Sequence, residues 1–140
     1  MSLKSIAALL FAKHATRQIN KWASTPVQTQ ERVFKQLISA AKNTAFGKDH
    51  EFNTISCHQE FIKKVPIRDY EALRPYVDRV VAGEKDILWP GKPLYFAKTS
   101  GTTSGAKYIP LTKESMPTHI KAARNAILCY INQTKKAAFV

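Results

Sequence analysis

Between residues 98 and 107 the chain reads Lys98-Thr99-Ser100-Gly101-Thr102-Thr103-Ser104-Gly105-Ala106-Lys107, a run of small, hydroxylated and basic side chains. Gly101 and Gly105 carry no Cβ and admit positive φ, so the backbone N–H groups around them can turn toward a ligand. Three threonine and two serine hydroxyls add short donors, and a lysine stands at each end. Converging donors of this kind form a nest for an anion, and a polyphosphate matches the charge. The competing reading is a Gly/Ser/Thr hairpin turn that binds nothing.

Spacing excludes two familiar phosphate loops. The Walker A loop requires G-x-x-x-x-G-K-[ST], but the residue five after Gly101 is Ala106, and Lys107 is followed by Tyr108. The dinucleotide fingerprint G-x-G-x-x-G fails because Thr102 and Thr103 separate the glycines. Thr99-Ser100-Gly101-Thr102-Thr103 followed by Lys107 instead resembles the phosphate loop of the acyl-adenylate-forming superfamily, which includes acyl-CoA synthetases, luciferase and peptide-synthetase adenylation domains. The usual form there is T-S-G-T-T-G-x-P-K, from which Ser104 and Ala106 depart. The flanks narrow the match: Val65-Pro66-Ile67-Arg68-Asp69-Tyr70-Glu71, Gly83-Glu84, Ile87-Leu88 and Tyr108-Ile109-Pro110-Leu111-Thr112. They resemble the auxin-responsive acyl-acid amido synthetase family and its bacterial relatives, where the loop reads T-S-G-T-T-S-G-x-K and both departures vanish. The resemblance runs from about residue 20 to the end of the chain.

This resemblance implies an enzyme that activates a small carboxylic acid with ATP and Mg²⁺ as an acyl-adenylate, then passes it to an amino acid or other amine. Thr99, Ser100, Gly101, Thr102, Thr103, Ser104, Gly105 and Lys107 are the implied ATP-phosphate residues. Backbone amides from Gly101 to Gly105 and the hydroxyls of Ser100, Thr102 and Thr103 would hold pyrophosphate oxygens, with Lys107 supplying charge. Lys98 is either a second cation or a solvated strand end. No catalytic acid or base can be named, and Mg²⁺ ligands are expected outside this chain. His119 either approaches an acyl pocket or lies on the surface. An acyl-CoA ligase is the alternative within the superfamily, against which Ser104 and the Val65–Tyr70 flank argue.

The elements that must position this loop follow from periodicity and capping. Residues 3–22 read as a first helix. Thr25, Pro26 and Gln28 give an N-cap, a proline at N1 and a capping-box partner. The helix they open carries Val33, Phe34, Leu37, Ile38, Ala41 and Ala45 at helical spacing and is expected to stop at Gly47. Ser56 caps a short helix that Pro66 ends, Asp69 caps another, and Pro75 starts a further one closed by Gly83. Strands are expected at Leu94–Ala97 and Tyr108–Leu111, on either side of the loop. Thr112 or Ser115 then caps a helix with Ile120, Ala123, Ile127, Leu128 and Ile131 on one face and Pro117 in its first turn. The fold class is therefore α/β, with a helical N-terminal region followed by the first strands and helix of an adenylate-forming domain.

The 140 residues leave room for one domain. Members of the resembled family are several times longer. The expected organisation is the N-terminal part of a single adenylate-forming domain, with 1–93 mostly helical and 94–140 strand, phosphate loop, strand and helix. The chain is therefore expected to be an N-terminal fragment or a truncated reading frame, lacking the C-terminal remainder and inactive alone. Lysine and arginine number 22 against 10 acidic residues, a net charge of +12. They are spread from Lys4 to Lys136 with no arginine-rich tract or zinc-ligand spacing, so no nucleic-acid partner is expected. A basic nucleic-acid-binding or scaffold protein with an incidental loop is the alternative from another class. Cys57 and Cys129 lack metal-ligand spacing and suit a reduced, cytoplasmic chain. His14, His50, His58 and His119 read as surface or capping histidines. No apolar run reaches a membrane-spanning length of about 18 residues. Residues 1–30 lack Asp and Glu, which suits a transit peptide or a helix packing Ile6, Leu10 and Ile19, the latter favoured because arginine occurs there only once.

Overall fold

The computed structural model describes residues 3–100 and 105–137. These are mostly helical, with one two-stranded antiparallel sheet and a C-terminal helix. The chain forms two compact units, Met1–Thr29 with Glu114–Val140, and Gln30–Lys113. The fold class matches the sequence expectation.

In the first unit, α1 (Leu3–Ala23) packs along α6 (Met116–Thr134). Its core is Ala12, Ala15, Leu128, Ile131 and Ala137. The expectation that Ile6 and Leu10 pack inward is corrected, since Leu10 is 67% exposed and Ile6 46%. The alanine stripe takes their place because small side chains let two helix axes approach closely. Of the apolar face expected on α6, Leu128 and Ile131 are buried, while Ile120 and Ile127 remain exposed. Pro117 lies in the first turn of α6, where its missing N–H has no intrahelical partner to lose.

In the second unit, α2 (Pro26–Ala41), which begins just outside it, turns Phe34, Ile38 and Ala41 to the core and leaves Val33 and Leu37 exposed. It does not run on to Gly47. It ends at Ala41, whose carbonyl accepts from the Thr44 N–H at 3.0 Å and from the Thr44 hydroxyl at 2.7 Å. Thr44 then caps α3 (Ala45–Asp49) by accepting the Gly47 N–H at 3.0 Å. Gly47 is thus inside a helix rather than ending one. Its lack of a side chain matters because a Cβ would stand 2.1 Å from the Ala41 carbonyl oxygen. The first two amides of α3, Ala45 and Phe46, donate to the carbonyls of Asp86 and Ile87. The chain at residues 86–87 therefore serves as an N-terminal partner for that helix.

A 3-10 turn, Phe52–Thr54, leads to α4 (His58–Lys64). Its N-cap is Cys57, one residue beyond the expected Ser56, and the reach-back comes from Glu60 rather than Gln59. The Glu60 carboxylate accepts from the Ser56 amide and hydroxyl at 2.6 and 2.9 Å. α5 (Tyr70–Val81) is one continuous helix, not two. Asp69 caps it by accepting the Ala72 N–H at 2.9 Å. Pro75 lies inside, removing one donor while burial of Val77 and Val80 carries both halves on one axis. Beyond the helix, Gly83 and Glu84 donate to Val80 and Arg79, the paired bonds of a Schellman end. Helices α2 to α4 enclose Ile38, Ala41, Phe52 and Ile55, with Phe34, Phe46, Phe61, Val65 and Trp89 against them.

Two outcomes are expected. Gly47→Ala drives a methyl into the Ala41 carbonyl and should lower stability by about 2–3 kcal/mol, seen as a lower urea midpoint at unchanged slope. The Ser56 amide and then its hydroxyl hold the Glu60 carboxyl below the usual carboxylate range. A depressed folded pKa adds stability above the ordinary glutamate value that is lost as pH falls through the folded one. Glu60→Gln should therefore flatten the acid limb of a stability-against-pH curve.

Candidate functional site

The sheet pairs β1 (Tyr95–Thr99) with β2 (Lys107–Leu111) in register Tyr95↔Leu111 to Thr99↔Lys107. Both strands reach further toward the loop than the sequence suggested, so Thr99, Lys98 and Lys107 are strand residues and residues 100–106 make the connection. Alternation in a strand puts Thr99 and Lys107 on one face and Lys98 and Tyr108 on the other. Lys98 and Lys107, which stand at the two ends of the loop, thus leave it on opposite faces. Lys98 Nζ lies 5.8 Å over its cross-strand partner's ring, Tyr108, and Phe96 meets that ring edge-on at 6.2 Å.

Of the expected phosphate residues, Thr99, Ser100, Gly105 and Lys107 are placed, with Thr99 and Ser100 exposed and Lys107 half-buried. Gly101, Thr102, Thr103 and Ser104 lie outside the described residues. Gly105 adopts φ +79°, a conformation costly for a residue with a side chain, and open space surrounds it. It turns the chain into β2 two residues before Lys107. His119 sits exposed on α6 in the other unit.

Sequence reasoning missed the residue that anchors this hairpin. Tyr70, first residue of α5, accepts the Tyr108 N–H on its hydroxyl at 2.9 Å, and its ring lies 5.3 Å beneath Lys107 Nζ. Because the Tyr108 N–H is taken there, it faces away from β1. Strand alternation puts Pro110, which has no N–H, on that same outer edge. The available signal was an aromatic residue directly after the Asp69 cap, within the stretch that carries the family resemblance.

Behind Tyr70, the preceding residues are tied down in turn. Arg68 Nη2 lies 3.1 Å from His50 Nε2, and His50 Nδ1 lies 2.8 Å from the Phe46 carbonyl oxygen. A guanidinium only donates and a carbonyl only accepts, which assigns His50 the neutral form with the proton on Nδ1. His50 is 5% exposed and stacks on Phe46 at 4.1 Å. It caps α3 as expected of a capping histidine, but its ring is in the core. Tyr76 donates to Asp49 Oδ2 at 2.7 Å. Burial, then the bond to Asp49, pushes the Tyr76 hydroxyl above its ordinary pKa, against the pull of Arg68. Among the described residues, no group of three or more His, Cys, Asp or Glu is placed to hold a metal ion. No helix among them is long and apolar enough to cross a membrane.

Residues 15–139 match the GH3 family N-terminal domain. The chain belongs to the GH3 family. The indole-3-acetic acid-amido synthetase GH3.2 of Arabidopsis thaliana is 28% identical over 117 residues, covering 82% of this chain and 20% of that protein. GH3.15 of the same plant, also an indole-3-acetic acid-amido synthetase, is 34% identical over 95 residues, 66% of this chain and 16% of the relative. The jasmonoyl–L-amino acid synthetase JAR6 of Nicotiana attenuata is 30% identical over 89 residues, 62% and 15% of the two chains. The chain therefore spans a fifth or less of the length of these relatives. Within this GH3 domain, the segment 65–71 that carries the resemblance holds Tyr70 against β2, with Asp69 capping α5 and Arg68 reaching His50 beside it.

Arg68→Ala removes the donor to a buried imidazole nitrogen and should destabilise the chain by about 1–2 kcal/mol. Urea denaturation measures the loss, and Arg68→Lys should recover only part of it, because an ammonium cannot reproduce the guanidinium geometry.

Proposed function

We propose that this chain carries the polyphosphate-holding loop of an ATP-dependent acyl-acid amido synthetase. The supporting observation is the order T-S-G-T-T-S-G-x-K at the turn of an anchored hairpin, with Lys107 the first residue of β2, in a chain of the GH3 family. The relatives' names describe an indole-3-acetic acid-amido synthetase, a ligase of 4-substituted benzoates with glutamate and a synthetase of jasmonoyl–L-amino acids. That favours amide formation over thioester formation and agrees with Ser104 and the 65–70 flank.

In the proposed reaction a carboxylate oxygen attacks the α-phosphorus of ATP, the bond to the β-phosphate oxygen breaks, and acyl-adenylate and pyrophosphate result. An amino acid amine then attacks the acyl carbon, displacing AMP and losing a proton. Catalysis of the first step is largely positioning and charge stabilisation as pyrophosphate leaves. The residues present fit that task. Gly105 offers an open approach for phosphate oxygens, the Ser100 hydroxyl is an exposed donor, and Lys107 brings a cation to the loop's end. Mg²⁺ would be carried largely by the phosphates themselves.

Lys107→Ala should weaken ATP binding about tenfold or more, the scale of losing a charge-assisted contact, while Lys98→Ala has a smaller effect. Gly101→Val should abolish binding, because a branched side chain blocks the backbone approach, and equilibrium titration with ATP measures all three variants. In a longer protein that contains this chain, a product assay with an amine and coenzyme A supplied together should return amide; thioester would favour the ligase alternative.

A further inference from the structure

We infer that Tyr70 is the positioning residue for Lys107, seating its ammonium on the ring face while its hydroxyl fixes the backbone of the next residue. The inference rests on the polyphosphate reading above and extends it to a side chain outside the loop. One side chain makes both contacts, Lys107 Nζ at 5.3 Å from the ring centroid and the Tyr108 N–H at 2.9 Å from the hydroxyl. The backbone contact sets where the Lys107 stem leaves the strand, and the ring sets where its end rests.

Tyr70 is itself held. It follows the Asp69 cap, whose carboxylate accepts the Ala72 N–H, and Arg68 before that reaches the buried His50. Lys98 rests instead on the ring of Tyr108, within the hairpin itself. Lysine has a long, flexible stem, so ordering it at the moment of binding costs rotamer freedom. A seat occupied before the ligand arrives removes part of that cost. A cation–π contact at a partly exposed ring is weak enough to be exchanged for a phosphate oxygen. Tyrosine is needed rather than phenylalanine because only the hydroxyl accepts the outer-edge amide of β2.

The test uses the 140-residue chain, its Tyr70→Phe, Tyr70→Leu and Lys107→Ala variants, and pyrophosphate as the probe. Ring current should shift the Lys107 ε-methylene protons upfield in the wild type and Tyr70→Phe but not in Tyr70→Leu, a signature that general destabilisation would not produce. Pyrophosphate should bind about threefold more weakly to Tyr70→Phe and about tenfold more weakly to Tyr70→Leu. Tyr70→Phe keeps the ring and supplies the answer should Tyr70→Leu fail to fold. Binding lost in Lys107→Ala but unchanged in both tyrosine variants overturns the positioning role and leaves the polyphosphate reading standing. Pyrophosphate binding that is absent from the wild type, or indifferent to Lys107→Ala, overturns that reading and the role of Tyr70 with it.

Discussion

Two five-residue strands joined by a loop have little stability of their own, because each offers the other one edge and neither buries a full face. The hairpin here depends on a third element, and the decisive contact is the Tyr70 hydroxyl accepting the Tyr108 N–H. That bond occupies the outer edge of β2, which Pro110 also keeps from donating. It converts a free hairpin into one registered against the start of a helix. Lys107, the residue before Tyr108, inherits its position from the same bond.

The strength of that anchor comes from what lies behind it. Arg68, Asp69 and Tyr70 each act on a different neighbour: a buried imidazole, a helix amide and a strand amide. The imidazole stacks on Phe46, which meets Phe52 and Tyr76 edge-on, so the strut ends in the aromatic core. Exposed ion pairs such as Lys35–Glu31, Arg74–Glu71 and Arg79–Glu84 contribute little by comparison, being solvated and screened. Core packing and satisfied buried polar groups carry the unit, and Tyr70 attaches β2 to it.

Local signals were legible where a single residue decides the outcome. Pro26 opening α2, Asp69 capping α5 and the two strands were each readable from residue type and spacing. Misreadings occurred where a residue's usual local meaning was overridden by a contact distant in sequence or by burial. Gly47 looks like a helix stop but is a close-approach glycine against Ala41. Pro75 looks like a helix start but sits within a helix held by Val77 and Val80. Ile6 and Leu10 look like a core face, yet alanines make the helix contact.

The sequence by itself determined the chemistry on offer. The order of hydroxyls, glycines and lysine from Thr99 to Lys107, together with its flanks, carries the resemblance to the family whose N-terminal domain the chain matches. These are properties of covalent order, and folding cannot change them. Only the tertiary structure decided which lysine shares a face with Thr99 and which aromatic side chain seats it. Strand register separates Lys98 from Lys107, and the hairpin's docking on α5 brings Tyr70 to Tyr108 across 38 positions of chain. No local rule encodes a contact at that separation, because it exists only once the helices have packed and brought the strand edge within hydrogen-bonding distance.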